Sequence, residues 1–265
     1  MGCFLEIHYG NEHRALCKPV CSKKVSQCRQ LPHHWPLQTP CDTCKMGAMK
    51  KSVQTSGSAQ RAWVRLPSGR RIDLRDPTFA DVDDTDLSLG LARTFRWGGH
   101  SVWPLPMSVA QHSLLVLHIR RSQGHLDPDA ELRELLHDAE EGLLGFDPIS
   151  PLKPILGDGF LALLEQMQRV LFARYGVSWW TTEEKVKHKK ADILAAASEA
   201  IHVAGWSREE VRTVLNIQMT PLVDDPLVSV YGGVPWEPWS TDVANTRFLT
   251  ELHRILASQQ GLPAT

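Results

Sequence analysis

Four side chains of this 265-residue chain have the types and the order of a cation site: His112, the adjacent pair His137-Asp138, and Asp192. Two imidazoles and two carboxylates make a borderline-to-hard donor set, suited to one divalent ion such as Mn, Co, Fe, Zn or Mg. Each residue also has a plainer reading. His112 can be a core histidine bonded to a backbone carbonyl, and Asp192 can pair with Lys189 or His188. An adjacent His-Asp pair arises by chance about once in a chain of this composition, so its neighbours must decide its meaning.

Three helices have to bring these residues together. Residues 131–145, ELRELLHDAEEGLLG, read as one leucine-rich helix, opened by Asp127 as cap, Pro128 in the first turn and Asp129 as an early acid. With Leu132 at zero and about 100° per residue, Leu135, Leu136, Ala139 and Leu143 form a core stripe. His137, Glu141 and Asp138 then fall at about 140°, 180° and 240°, whereas Glu140 falls near 80°. These angles select Glu141 over Glu140 as the acid that can join the pair. The alternative is a solvated polar face shared with Glu134. His112 lies in the first turn of a helix opened by the capping box Ser108-Val-Ala-Gln111 and running to about Arg121. Asp192 lies deep in a helix opened by Thr181-Thr-Glu-Glu184 and ending near Gly205. A carboxylate in mid-helix among alanines has poor propensity and needs a partner.

The remaining signals are mostly helical. Asp83/Asp84 can cap a helix to about Arg93, Phe160 to Tyr175 is apolar at helical spacing, and Ser207-Arg-Glu-Glu210 repeats the capping box. A last helix follows the loop Pro235-Trp-Glu-Pro-Trp239, and Trp63–Leu66 with Arg71–Leu74 read as a short hairpin. There is no internal repeat. The expected fold class is all-α with a small N-terminal β-hairpin, as one domain over residues 59–258, followed by a tail, 259–265.

Composition narrows the function classes. Apolar (42%) and charged (22%) fractions are those of an ordinary globular domain. The net charge of −1 conceals a basic leader, with eight Lys+Arg against three Asp+Glu in residues 1–58, and an acidic remainder, 21 against 27. An acidic body argues against general nucleic-acid binding. No apolar run approaches the ~18 residues of a membrane span. The start, MGCFLEIHYGNEHR, lacks a secretory pattern, so a cytoplasmic location is expected. All six cysteines (Cys3, Cys17, Cys21, Cys28, Cys41 and Cys44) fall in the leader, which does not suit a disulfide-stapled fold. Only Cys41-Asp-Thr-Cys44 has zinc half-site spacing, so the leader is expected to be poorly ordered, with a zinc knuckle or redox chemistry as alternatives. MGAMKKSVQTSGSAQ reads as a linker, and Met46 or Met49 can begin a shorter chain.

The segments RTFRWGGHSVWPLPMSVAQHSLLV, LLHDAEEGLLGFDPISPLKPIL and HKKADILAAASEA together resemble the HD-domain metal-dependent phosphohydrolases, and within them the bacterial HD-domain 5'-deoxynucleotidases. The resemblance spans about residues 60–256 and leaves out the Cys-rich leader. It implies an HD-domain helical bundle, one catalytic divalent metal held by His112, His137, Asp138 and Asp192, a small-molecule nucleotide substrate and a homodimer. By the same resemblance Glu141 acts on the attacking water, Arg96 holds the substrate phosphate, Trp97 packs near the sugar, and Asp147 is a substrate-side aspartate. The spacings from Glu141 to Asp147 and from Arg96 to His112 each differ by one residue from the family pattern. Arg96 can instead make a surface salt bridge and Trp97 can be ordinary core packing, while Lys153 is expected to be solvated and outside the site.

The expected activity is hydrolysis of a (deoxy)nucleotide phosphate ester, converting a dNMP to deoxynucleoside and phosphate. A dNTP triphosphohydrolase on the same scaffold and a non-catalytic nucleotide or metal sensor are the alternatives. His188 is the only histidine between 138 and 192, which disfavours a two-metal phosphodiesterase, and Gly142 after Glu141 weakens an alarmone-hydrolase reading.

Overall fold

A hairpin leads into the helices. Strands β1 (Trp63–Arg65) and β2 (Arg71–Asp73) pair antiparallel with Val64 opposite Ile72, whose side chain is fully buried. Ser68 in the turn donates to Asp86 through its backbone N–H (2.8 Å) and its hydroxyl (2.5 Å), tying the hairpin to the first helix. The computed structural model describes residues 62–261. The Cys-rich leader, its zinc reading, the linker and the end of the tail lie outside the described residues.

Ten α-helices follow among the described residues: α1 (Asp84–Arg93), α2 (Val109–Ser122), α3 (Pro128–Leu135), α4 (Ala139–Leu144), α5 (Lys153–Leu156), α6 (Asp158–Tyr175), α7 (Thr182–His202), α8 (Arg208–Thr213), α9 (Val228–Tyr231) and α10 (Thr241–Gln259). The protein is mostly helical with one small hairpin, as expected. Side-chain caps explain the starts. Asp83, Ser108, Asp127, Thr181, Ser207 and Ser240 each accept from a first-turn N–H that has no intrahelical partner. Thr181/Glu184 and Ser207/Glu210 close reciprocal capping boxes. The box expected at Ser108 is only half made. Gln111 turns away from the cap and clamps the Trp/Pro-rich loop, donating to the Glu237 carbonyl (3.0 Å) and accepting from Trp239 N–H (2.8 Å). No helix of the described residues is long and apolar enough to cross a membrane.

The single helix expected over 131–145 is in fact two. Leu136 (φ −101°, ψ 14°) ends α3 and Asp138 (φ −115°, ψ 25°) precedes α4, so the His-Asp pair occupies the break. Side chains that compete for helix carbonyls cause such breaks. Here His137 Nδ1 donates to the Glu134 carbonyl at 2.8 Å, a group that a continuous helix would give to the Asp138 N–H. The expected core stripe survives the break: Leu132, Leu135, Leu136, Ala139 and Leu143 are all buried. Burying each leucine contributes about 1.5–3 kcal/mol. The opposite side is not a solvated face. Glu134 is buried, accepting from Arg120 Nε (2.8 Å) and pairing with His188 Nδ1 (2.8 Å).

Helices α1 and α4 meet backbone to backbone. A Cβ added to Gly90 would lie 2.2 Å from the Gly142 carbonyl oxygen, and one added to Gly142 would lie 2.7 Å from the Leu91 backbone nitrogen. Two glycines thus set the depth at which α4, and Glu141 beside Gly142, seats in the protein.

Candidate metal centre

Each site side chain is delivered by a defined element. His112 projects from the first turn of α2, His137 and Asp138 from the break, Glu141 from α4, and Asp192 from the middle of α7. Arg96 arrives from the root of the loop before α2. Its N–H donates to the Met107 carbonyl (2.9 Å), and the Phe95–Ser108 bridge beside it closes that root. The loop turns at once through Trp97, whose φ of 58° is uncommon for a bulky residue.

The two imidazoles are held in one tautomer. His112 Nδ1 donates to Glu199 Oε1 at 2.5 Å, and His137 Nδ1 donates to the Glu134 carbonyl. Neither partner can donate in return, so in the neutral rings both Nε2 atoms carry the lone pairs. Those lone pairs face one another at 3.2 Å. Asp138 Oδ2 lies 3.2 Å from His137 Nε2 and 3.6 Å from His112 Nε2, and Asp192 Oδ1 lies 3.4 Å from His112 Nε2. Four acceptors without a donor repel unless a proton or a cation lies among them. Donors at about 2.1 Å from one ion are about 3.0 Å apart at octahedral edges and about 3.4 Å at tetrahedral ones, and the distances from His112 Nε2 to His137 Nε2 (3.2 Å) and to Asp192 Oδ1 (3.4 Å) fall in that range. His112 and His137, both buried, and the half-buried Asp192 have ligand atoms within 4.8 Å of one another and could hold a metal ion; Asp138, the fourth expected ligand, is not part of that group.

The electrostatics follow from burial among carboxylates. Burial alone would lower His137, but the Asp138 carboxylate, together with Asp192 and the Glu134 carbonyl, outweighs it and takes the imidazole to about 9. The same pairing holds Asp138 far below the usual carboxylate range against its own burial. Glu199, fully buried, is brought down to about 2 by His112 and Arg96. Glu141 goes the other way. Burial, with Asp138 and Asp147 nearby, pushes it well above the ordinary glutamate value. Neither of its buried oxygens has a hydrogen-bond partner among the described residues. An unbonded buried carboxyl costs about 1–3 kcal/mol, so this group is held in place by its surroundings rather than by its own bonds.

The open readings resolve residue by residue. Asp192 makes the expected pairing with Lys189, whose Nζ donates to Oδ2 at 2.7 Å, while Oδ1 faces His112. Its other suggested partner, His188, pairs with Glu134 and packs at a tilt between the rings of His137 (4.7 Å) and Trp180 (4.5 Å). Arg96 does not make a surface salt bridge. It is largely buried, 3.4 Å from both Glu199 and Asp147 and 3.9 Å from Asp138. Trp97 is half-buried against Ala197, Ala200 and Val211, and its indole N–H donates to Glu199 Oε2 at 3.2 Å. Asp147 is buried beside Arg96. Lys153, expected to be solvated and outside the site, reaches its edge with Nζ 3.5 Å from Glu141 Oε1. Eight residues between the end of α4 and the start of α5, 145–152, let the chain double back far enough to bring Lys153 there.

Glu199 escaped the sequence reading. It lies seven residues after Asp192, about 20° away on the same helix face, in an alanine-rich stretch where an acid needs a partner. That signal was present in the sequence.

No protein-family model matches the chain. An uncharacterized protein of Rhodobacter capsulatus is 39% identical over 153 residues, covering 57% of this chain and 78% of that protein. At that identity and coverage, the chain belongs to the same family as this uncharacterized Rhodobacter protein.

Proposed function

We propose that this chain is an HD-domain metal-dependent phosphohydrolase that cleaves a phosphate ester of a (deoxy)nucleotide, in the manner of a 5'-deoxynucleotidase. The observation that carries this reading is the facing pair of His112 and His137 Nε2 lone pairs at 3.2 Å, with the unbonded Glu141 carboxyl close by. In this reading His112, His137, Asp138 and Asp192 hold one divalent cation. Such an ion supplies Lewis acidity, lowering the pKa of a water and offsetting charge on a phosphoryl group.

The chain's own residues do the rest. Arg96 and Lys153 are permanent cations at a site otherwise rich in carboxylates, and they receive the phosphate dianion. Asp147 and Glu199 hold the Arg96 guanidinium in one orientation. Glu141 takes a proton from the attacking water and returns one to the departing ester oxygen. The water oxygen bonds to phosphorus as the ester P–O bond breaks, so products are an alcohol and phosphate. A homodimer and a cytoplasmic location go with this reading, and sedimentation checks the first of them.

The test is a screen of the Mn-loaded protein against dNMPs, NMPs and dNTPs with the released anion identified. Phosphate from dNMPs is expected. Triphosphate from dNTPs would make the protein a triphosphohydrolase on the same residues, and binding without turnover would make it a sensor. Glu141→Ala and Asp138→Ala are each expected to abolish turnover, and near-full activity in either variant overturns the assignment.

A further inference from the structure

Glu199 belongs neither to the four candidate ligands nor to the groups expected to touch substrate, yet it is fully buried and uses both carboxylate oxygens. Oε1 accepts from His112 Nδ1 at 2.5 Å. Oε2 accepts from Trp97 Nε1 at 3.2 Å and Arg96 Nε at 3.4 Å. One side leads to the imidazole that faces the cation position, the other to the arm that carries Arg96. The arm also needs holding, because it begins with Trp97 in the left-handed region.

We infer that Glu199 is a positioning residue with two ends, one fixing the cation-facing tautomer of His112 and the other aiming the Arg96-Trp97 arm at the phosphate. The second half of this inference rests on the phosphohydrolase reading; the first half does not. The task requires a carboxylate. Both ends of Glu199 must accept, and a glutamine of the same shape offers one acceptor and one donor. If its amide NH2 faces His112, Nδ1 must become the acceptor and the proton moves to Nε2, removing the lone pair. If it faces the arm, it meets the N–H groups of Arg96 and Trp97 donor to donor. Either way one end fails. An aspartate is one methylene shorter but keeps two acceptors.

The test uses the full chain as wild type, Glu199→Gln and Glu199→Asp. Mn affinity is measured by calorimetry, inorganic phosphate affinity is measured on the Mn-loaded protein, and melting of the metal-free protein checks folding. Glu199→Gln is expected to lose about 10- to 100-fold in Mn affinity, the range for groups that orient a metal ligand. If its amide settles the other way, the same variant instead loses about tenfold in phosphate affinity. Glu199→Asp is expected to recover part of whichever is lost, which a merely space-filling residue would not do. Mn and phosphate affinities of Glu199→Gln both within about twofold of wild type overturn the inference, as does an aspartate variant no better than glutamine. Wild type that binds Mn but neither binds phosphate nor turns over nucleotides overturns the hydrolase reading, while a Mn deficit in Glu199→Gln still sustains the His112 end. Wild type that binds no Mn overturns both.

Discussion

Gly90→Ala tests whether the seating of α4 is set by the close approach of two backbones. Alanine is the better helix former, and in the interior of α1 the exchange should gain about 1 kcal/mol. Against that stands the new Cβ, 2.2 Å from the Gly142 carbonyl oxygen and 2.8 Å from its carbon. Backbone atoms cannot rotate out of the way as a side chain can, so the helices must separate. Overpacking typically costs about 1–3 kcal/mol, and a backbone clash belongs at the top of that range. The net expectation is a loss of about 2 kcal/mol, which for a domain of this size lowers Tm by about 4–8 °C. Gly159→Ala is the control. Gly159 is exposed in α6 and an added Cβ there meets nothing within 4 Å, so the same exchange should leave Tm unchanged or raise it. Differential scanning calorimetry reads both. Because Gly142 follows Glu141, Gly90→Ala should also reduce turnover more than the loss of folded protein explains. A Gly90→Ala protein that melts at or above wild type would refute the reasoning, since propensity rather than contact would then govern this interface.

Three further outcomes are expected. Mn at about 100-fold above its dissociation constant should stabilise the protein by about 2.7 kcal/mol, and chelation should reverse this; an equal shift in Asp192→Ala would place the ion elsewhere. Lys153→Met keeps the apolar stem and removes the charge beside Glu141; KM for the nucleotide should rise roughly 5- to 30-fold with Mn affinity unchanged, and an unchanged KM would return Lys153 to the surface role expected from sequence. His118 is not one of the candidate metal ligands, and burial lowers it below the ordinary histidine value, with Nε2 unbonded among the described residues. At this group the unfolded chain therefore binds a proton more readily than the folded one, so the His118 contribution to stability should be level above about pH 6.5 and fall as the pH drops below it. Urea titrations across that range check the slope, which His118→Phe should flatten.

What the sequence determined by itself was local. Asp83, Asp127, Thr181 and Ser207 cap helices because a side chain two or three residues away satisfies an orphan N–H, and nothing distant is needed. The leucine stripe of 132–143 was legible for a similar reason, since core leucines stay on one side even across a one-turn break. The types and order of His112, His137-Asp138 and Asp192 were legible as a donor set. That they face one another was decided by tertiary structure, because their spacing is a property of three helices packing. The same holds for the break at His137, where a ring nitrogen competes for a carbonyl, and for Glu199, whose partners lie 87 to 103 residues away. Lys153 and the Gly90–Gly142 approach are likewise meetings of separate segments. Periodicity reports which side of a helix is apolar; it carries no term for how deep the helix is buried or which carboxylate it meets. For this protein those meetings make the difference between a polar helix face and a group of residues that could hold a cation.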